Sequence, residues 1–244
     1  MAWFLADSFA KTDVVINCIC SRNLEQGKQL ANTYHTNYVD DVLNLDSTAD
    51  ITFIALSDDA IELISNTLKV NGMVVHCSGI LPVDVLTKHN LRGVLYPLQT
   101  IIKTDLPDVR MVPICLEANN EEGLQILKTL AYTVTKHIHF VNSQQRQYYH
   151  LAAVLVNNFT NHFYALADNI LGEHHLSFDL LKPLILETAR KAYMHPPIQN
   201  QTGPAKRDDR NTIEKHISLL NDNSELKELY EKITQSIFNL HQKI

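Results

Sequence analysis

The sequence predicts an α/β protein, a doubly wound and mostly parallel sheet followed by an all-α half. Three observations predict it. Short apolar runs alternate with helix-like segments through the first part of the chain. Several runs are apolar along their whole length, as strands covered on both faces are. After Asn142 the strand pattern stops and only helix-length segments follow. The expected boundary therefore lies near residue 142, with a sheet domain over 1–142 and a helical domain over 143–244.

Met1–Phe9 reads as a helix with Trp3, Phe4, Leu5 and Phe9 as its apolar positions. Val14–Cys20 is a β-branched run ending at Ser21-Arg22, and Asn23–Tyr34 is a helix with an Asn cap. Asp50–Leu56 (DITFIAL) is an apolar strand. Ser57–Leu68 opens with Ser-Asp-Asp, which suits a helix N-terminus. Met73–His76 is a strand closed by Cys77-Ser78-Gly79, and Pro82–Lys88 a short helix. Val94–Pro97 and Pro113–Leu116 are strands, Glu121–Thr133 a helix, and His137–Val141 the last strand. Ser143–Leu171 is one long helical segment without Pro or Gly. Leu180–Tyr193, Asn211–Leu220 and Ser224–Gln242 are further helices, the first interrupted early by Pro183. A breaker-rich stretch, Met194–Asp209, separates Leu180–Tyr193 from Asn211–Leu220.

Composition narrows the function classes. The 244 residues are 45% hydrophobic and 20% charged, with a net charge of -6. A general nucleic-acid binder would carry a basic face, so none is expected as a partner. No apolar run approaches the roughly 18–20 residues that cross a bilayer, so no membrane partner is expected either. Met1–Asp13 lacks the basic start and small-residue cleavage site of a signal peptide. Cys18, Cys20, Cys77 and Cys115 show neither CxxC nor zinc spacing and read as reduced thiols. These features place the expected location in the cytoplasm. The histidines show no HExxH-type spacing, and no metal site is expected.

A doubly wound nucleotide domain opens with a strand, a Gly-rich turn and a helix. The glycines let the backbone approach the pyrophosphate, which rests on the helix N-terminus. Here the chain opens directly with the helix, and the earliest glycine is Gly27, inside another helix. The first strand and its glycines have no counterpart. The leading expectation is a start assigned too late, or an N-terminus trimmed. The alternative is a degenerate member that no longer binds a dinucleotide.

Some motifs carry chemistry. Ser21-Arg22 ends the second expected strand of such a domain, where an acidic residue would hold the ribose hydroxyls of NAD. A hydroxyl with Arg suits a 2′-phosphate instead; a surface Arg at a strand end explains it equally well. His76-Cys77-Ser78-Gly79 sits at a strand's carboxyl end, which faces the ligand crevice in open α/β sheets. His76 or Ser78 could meet substrate or nicotinamide, and a hydrogen-bonded structural histidine is the alternative. Tyr96-Pro97-Leu98-Gln99-Thr100 ends another strand, where Gln99 and Thr100 offer neutral donors and acceptors or simply cap a turn. On the long helix, His150, Asn157 and Asn161 fall within about 40° of one another at about 100° per residue. Arg146 lies on the edge of that stripe. Buried amides need partners, which a ligand, the other domain or a second subunit could supply. Gln201–Ala205, followed by Lys206 and Arg207, is a loop able to meet an anion, or a solvated connection.

Together these segments resemble a family of Rossmann-like proteins that pair an NADP-oxidoreductase-type domain with a helical C-terminal domain of unknown function. The carrying segments are ALSDDAI (Ala55–Ile61), VVHCSG (Val74–Gly79), YPLQT (Tyr96–Thr100), LAAVLVNNFTNHFYALA (Leu151–Ala167), ETARKA (Glu187–Ala192), QTGPAKRDD (Gln201–Asp209) and TIEKH (Thr212–His216). The family is similar to pyrroline-5-carboxylate reductase, deazaflavin-dependent NADP oxidoreductase and the 6-phosphogluconate dehydrogenase group. The resemblance implies NADP at the sheet edge, a small-molecule substrate in an interdomain cleft, and a homodimer through the helical domain. It implies cofactor contacts at Ser21, Arg22, Ser57, Asp58 and His76. Ser78, His150 and Asn157 are the candidates around the reacting centre, with His150 as acid or base. Gln99, Asn161, Thr202, Gly203 and Arg207 are the candidate substrate contacts, Arg207 for an anionic group. A second reading, from another class, is a non-catalytic nucleotide-sensing or interaction protein that kept the fold.

Overall fold

A computed structural model describes residues 1–242. The chain divides into two compact units, one over Met1–Tyr164 and a second from Ala165 onward. The strand-bearing part ends near residue 142, as its apolar pattern implies. The first unit nevertheless runs further, because the start of the long helix is fastened to the sheet by buried polar contacts described below.

The first unit opens with helix α1 (Ala2–Phe9), which buries Phe4, Leu5 and Phe9. Strand β1 (Cys18–Cys20), helix α2 (Leu24–Thr33) and strand β2 (Asn37–Val39) follow. The Asn23 side chain caps α2, accepting from the Gln26 N–H at 3.0 Å. Next come strand β3 (Ile51–Ile54), helix α3 (Asp58–Thr67), strand β4 (Met73–His76) and strand β5 (Arg92–Pro97). Strand β6 (Ile114–Ala118), helix α4 (Glu121–Tyr132) and strand β7 (Ile138–Phe140) complete the sheet region. The expected helix at Pro82–Lys88 is a 3₁₀ turn over Val83–Leu86.

Strands β3 to β7 form one sheet in sequential order, parallel except for the antiparallel β5–β6 pair. Its centre is fully dry: Met73, Val74, Val75, Val94 and Leu95 have no exposed surface. Each such side chain contributes roughly 1.5–3 kcal/mol by leaving water. Strands β1 and β2 form a separate parallel pair. The sheet is thus interrupted between β1 and β3, whose outer edges have no strand partner among the described residues. Val14–Cys20 shortens to three residues of strand for the same reason, since β1 pairs on one side only and with a three-residue neighbour.

Helix α5 (Ser143–Ala153) begins with an Asn142 capping box. It passes into a π-helical stretch over Val154–Phe159 and then into helix α6 (Thr160–Glu173). The expected single α-helix is therefore interrupted. Its polar stripe, which assumes one constant angular step, does not carry across the π stretch, where bonds run i to i+5. The apolar positions of this helix are also not buried: Leu155 and Val156 are 53% and 75% exposed.

In the second unit, α7 (Lys182–Met194) starts with Pro183 in its first turn, where a missing N–H costs nothing. A short turn α8 (Pro197–Asn200), helix α9 (Arg210–Leu219) and helix α10 (Ser224–Gln242) follow. The Asp209 side chain caps α9. His216 of α9 and Tyr230 of α10 hydrogen-bond at 2.8 Å. Among the described residues, no helix is long and apolar enough to cross a membrane.

Candidate functional site

Strands β4 and β5 run parallel and end side by side. The turn after β4 is built by its own polar groups. His76 is fully buried, and its Nδ1 accepts the Ser78 backbone N–H at 3.1 Å. Nδ1 is therefore unprotonated, and Nε2–H donates to the Pro82 carbonyl at 3.3 Å. The Ser78 hydroxyl oxygen accepts the N–H groups of Ile80 and Leu81 at 3.1 and 3.0 Å. His76 is thus a structural element of the turn. Its expected cofactor contact is corrected, because both ring nitrogens are engaged within the fold and the ring has no exposed surface.

Burial, followed by the nearby Arg146 charge, lowers the His76 pKa from 6.5 to about 4. The fold holds the neutral ring, so below pH 6.5 the unfolded chain takes up a proton first. Stability from this group is complete above pH 6.5 and is lost as pH falls toward 4. The loss is roughly 3 kcal/mol over the window, about 2 of it by pH 5. Urea unfolding at pH 7.5 and pH 5 should show this difference, and His76→Gln, which cannot titrate, should lack most of it.

The turn is locked from the other side by α5. Arg146 is buried to 1% exposure. Its guanidinium donates to the Ser78 carbonyl at 3.1 Å, to the Leu81 carbonyl, and to the Glu117 carboxylate of β6. Glu117 also accepts the Ser143 N–H at 2.9 Å and the Ser143 hydroxyl at 2.8 Å. Val83 N–H donates to the Ser143 hydroxyl oxygen at 3.2 Å. Each of the three guanidinium nitrogens of Arg146 thus finds an acceptor, which is what a charge away from water requires.

One helical turn after Arg146 comes His150, half-buried. Its Nδ1 lies 3.0 Å from the Tyr96 hydroxyl, at the end of β5. The two rings meet edge-on, 6.0 Å between centroids. Gly79 makes room for them: a Cβ there would stand 2.5 Å from His150 Nδ1 and 3.0 Å from Tyr96 Cζ. Burial raises the Tyr96 pKa, so the phenol stays protonated. A neutral phenol beside an imidazole, at the carboxyl edge of parallel strands, can hold and pass a proton.

The structure brings the Ser78–Gly79 turn, His150 and Tyr96 together. Tyr96 is absent from the sequence-derived candidates, since YPL reads as the apolar end of a strand. A phenol at the same sheet edge as Ser78 was the available signal. Asn157 lies in the π stretch, exposed, with its amide 3.4 Å from the Asn158 side chain. Asn161 is exposed on α6. Gln99 is exposed and accepts the Thr100 N–H. Ser21 accepts the Asn23 N–H at 3.2 Å, and Arg22 beside it is exposed with no hydrogen-bond partner among the described residues. Ser57 and Asp58 are exposed at the start of α3, the Ser57 hydroxyl not engaged in capping. Thr202, Gly203 and Arg207 lie in the second unit, Gly203 with a φ of 102° that favours glycine.

A mostly parallel sheet with polar groups at its strands' carboxyl ends, followed by a helical half, is a Rossmann-like fold, as in the pyrroline-5-carboxylate reductase relatives. Residues 112–237 match the family described as Domain of unknown function (DUF2520), and the chain belongs to that family. It is similar to the solved structure of putative NADP oxidoreductase BF3122 from Bacteroides fragilis, at 34% identity and TM-score 0.90, covering 97% of this chain and 93% of that one. It is similar to protein TM1727 from Thermotoga maritima, at 23% identity and TM-score 0.83, covering 99% and 96%. A pyrroline-5-carboxylate reductase from Coxiella burnetii shares the fold at 16% identity and TM-score 0.56, covering 99% and 94%. No curated protein matches the chain.

Proposed function

We propose that this protein is an NADP-dependent oxidoreductase acting on a small molecule by hydride transfer. The observation that supports it most is the Tyr96–His150 pair, set at the strand ends where this class of fold binds its ligands. The residues present fit the 2′-phosphate end of NADP: Arg22 is exposed, uncommitted, and at the carboxyl end of β1. Ser21, Ser57 and Asp58 would line the same edge. No glycine-rich turn for the pyrophosphate occurs in residues 1–244. When bound, the reduced nicotinamide supplies the hydride. The protein's own part is to orient the substrate at the Ser78–Gly79 turn and to exchange a proton through His150.

Exposed apolar side chains on the helices, among them Leu155, Val156, Leu180 and Leu184, support pairing of this chain with a second copy. The alternative is a non-catalytic nucleotide-sensing or interaction protein that kept the fold, and the lack of a glycine-rich turn within residues 1–244 favours it.

Arg22 offers the test. Arg22→Ala should weaken NADPH binding by about 10- to 100-fold, the worth of one charged hydrogen-bonding group, and leave NADH binding nearly unchanged. Titration of nicotinamide fluorescence reads both. Equal loss for both cofactors would remove Arg22 from the site, and binding of neither would count against the reading as a whole.

A further inference from the structure

We infer that Tyr96 is the positioning residue of His150, and that the pair equips the site for a neutral carbonyl substrate or its alcohol. The inference rests on the oxidoreductase reading and names its substrate class. The geometry comes first. Tyr96 Oη meets Nδ1 of His150 at 3.0 Å, and Nε2 has no hydrogen-bond partner among the described residues. The phenol is held at the end of β5, and the imidazole one turn beyond the buried Arg146. Gly79 packs against both rings, closer than any side chain would permit.

A hydroxyl both donates and accepts. Its oxygen can accept Nδ1–H from the imidazolium and from the neutral ring that remains once Nε2 has given up its proton. Tyr96 therefore holds the ring in one orientation through both protonation states and leaves Nε2 as the end that exchanges its proton. A carboxylate in that place would favour the imidazolium alone, and none hydrogen-bonds to either ring among the described residues. Glu117, the carboxylate at the base of α5, is engaged by Arg146 and Ser143.

The substrate class follows from charge. When a carbonyl carbon gains a hydride, the C–O π pair moves onto oxygen, and that oxygen needs a proton. His150 Nε2 provides it, and the imidazolium returns to neutral imidazole with its Nδ1–Tyr96 bond kept. The balance is carbonyl plus reduced nicotinamide plus one proton, giving alcohol plus oxidised nicotinamide. A preformed iminium needs no proton as it is reduced, and its positive charge calls for an anionic neighbour, which this pair does not provide.

The test begins on the protein without cofactor. Histidine labelled with nitrogen-15, observed by long-range proton–nitrogen correlation at pH 8.5, reports the tautomer of each ring. His150 is assigned by the signal lost in His150→Gln. The wild type should show a single tautomer with the proton on Nδ1. Tyr96→Phe should give mixed tautomers, while the His76 signals stay in place as the folding control. Gly79→Ala, which wedges a methyl group between the rings and deletes neither, should do the same. A proton on Nε2 in the wild type overturns the inference, as do unchanged His150 signals in both variants. With NADPH present, a panel of ketones, aldehydes and cyclic iminium compounds reads the substrate class. Tyr96→Phe should lower kcat on carbonyls by about tenfold or more, with KM little changed. Preference for iminium compounds overturns the substrate class alone. A fixed Nδ1–H tautomer with no turnover of either class overturns the oxidoreductase reading, and the substrate class with it.

Discussion

Replacing Arg146 by Met is expected to remove about 3–5 kcal/mol of stability, read as a shift of the urea midpoint. Methionine keeps much of the volume, so the loss is electrostatic rather than a cavity. It strands the Glu117 carboxylate, only 13% exposed, without its cation. It also takes donors from the Ser78 and Leu81 carbonyls inside the turn. A domain of this kind has about 5–15 kcal/mol in all, so the variant should be marginal near body temperature. Pairing the change with Glu117→Leu should restore a large part of the loss, because no unpaired charge then remains buried. The carbonyls keep the double variant below the wild type. A single variant as stable as the wild type would show that the cluster does not fasten α5 to the sheet.

Replacing His150 by Ala is expected to have the opposite profile. Removing a general acid or base lowers the chemical step by about 10²–10⁴-fold. Stability should change little, since the ring is half-buried and alanine is the better helix former. Substrate KM should move far less than kcat, because the proton is transferred only as the reaction proceeds. Steady-state kinetics beside a thermal melt separate the two effects. A large drop in melting temperature with proportionate loss of activity would make His150 a packing residue.

Particular residues show what could be read before folding was known. The central strands were legible because Met73–Val75 and Leu95 are apolar and, in an open sheet covered on both sides, periodicity gives way to continuous hydrophobic runs. Asn23 was legible as a cap because its chemistry is local. Strand β2, Asn37–Val39, was not: three residues beginning with Asn carry too little pattern, and its structure comes from pairing with β1. The π stretch over Val154–Phe159 was hidden because its residues suit an α-helix equally well, so the expected alignment of Asn157 with His150 was built on the wrong step. His150 was found as a titratable group on a helix. Its partner Tyr96, 54 positions away in the chain, was not, because the contact exists only once β5 and α5 are packed. The same distance hid the role of Arg146, read as the edge of a stripe and found as the buried link between helix, turn and strand β6.

The most direct measurement is isotope transfer. The protein is incubated with NADPH carrying deuterium at one face of C4 and with a panel of small ketones and aldehydes, and the products are examined by mass spectrometry. The expected result is an alcohol bearing one deuterium on its carbinol carbon from one face only, lost in the His150→Ala variant. An alcohol without deuterium, or NADPH bound and left unoxidised across the panel, would contradict hydride transfer at this site.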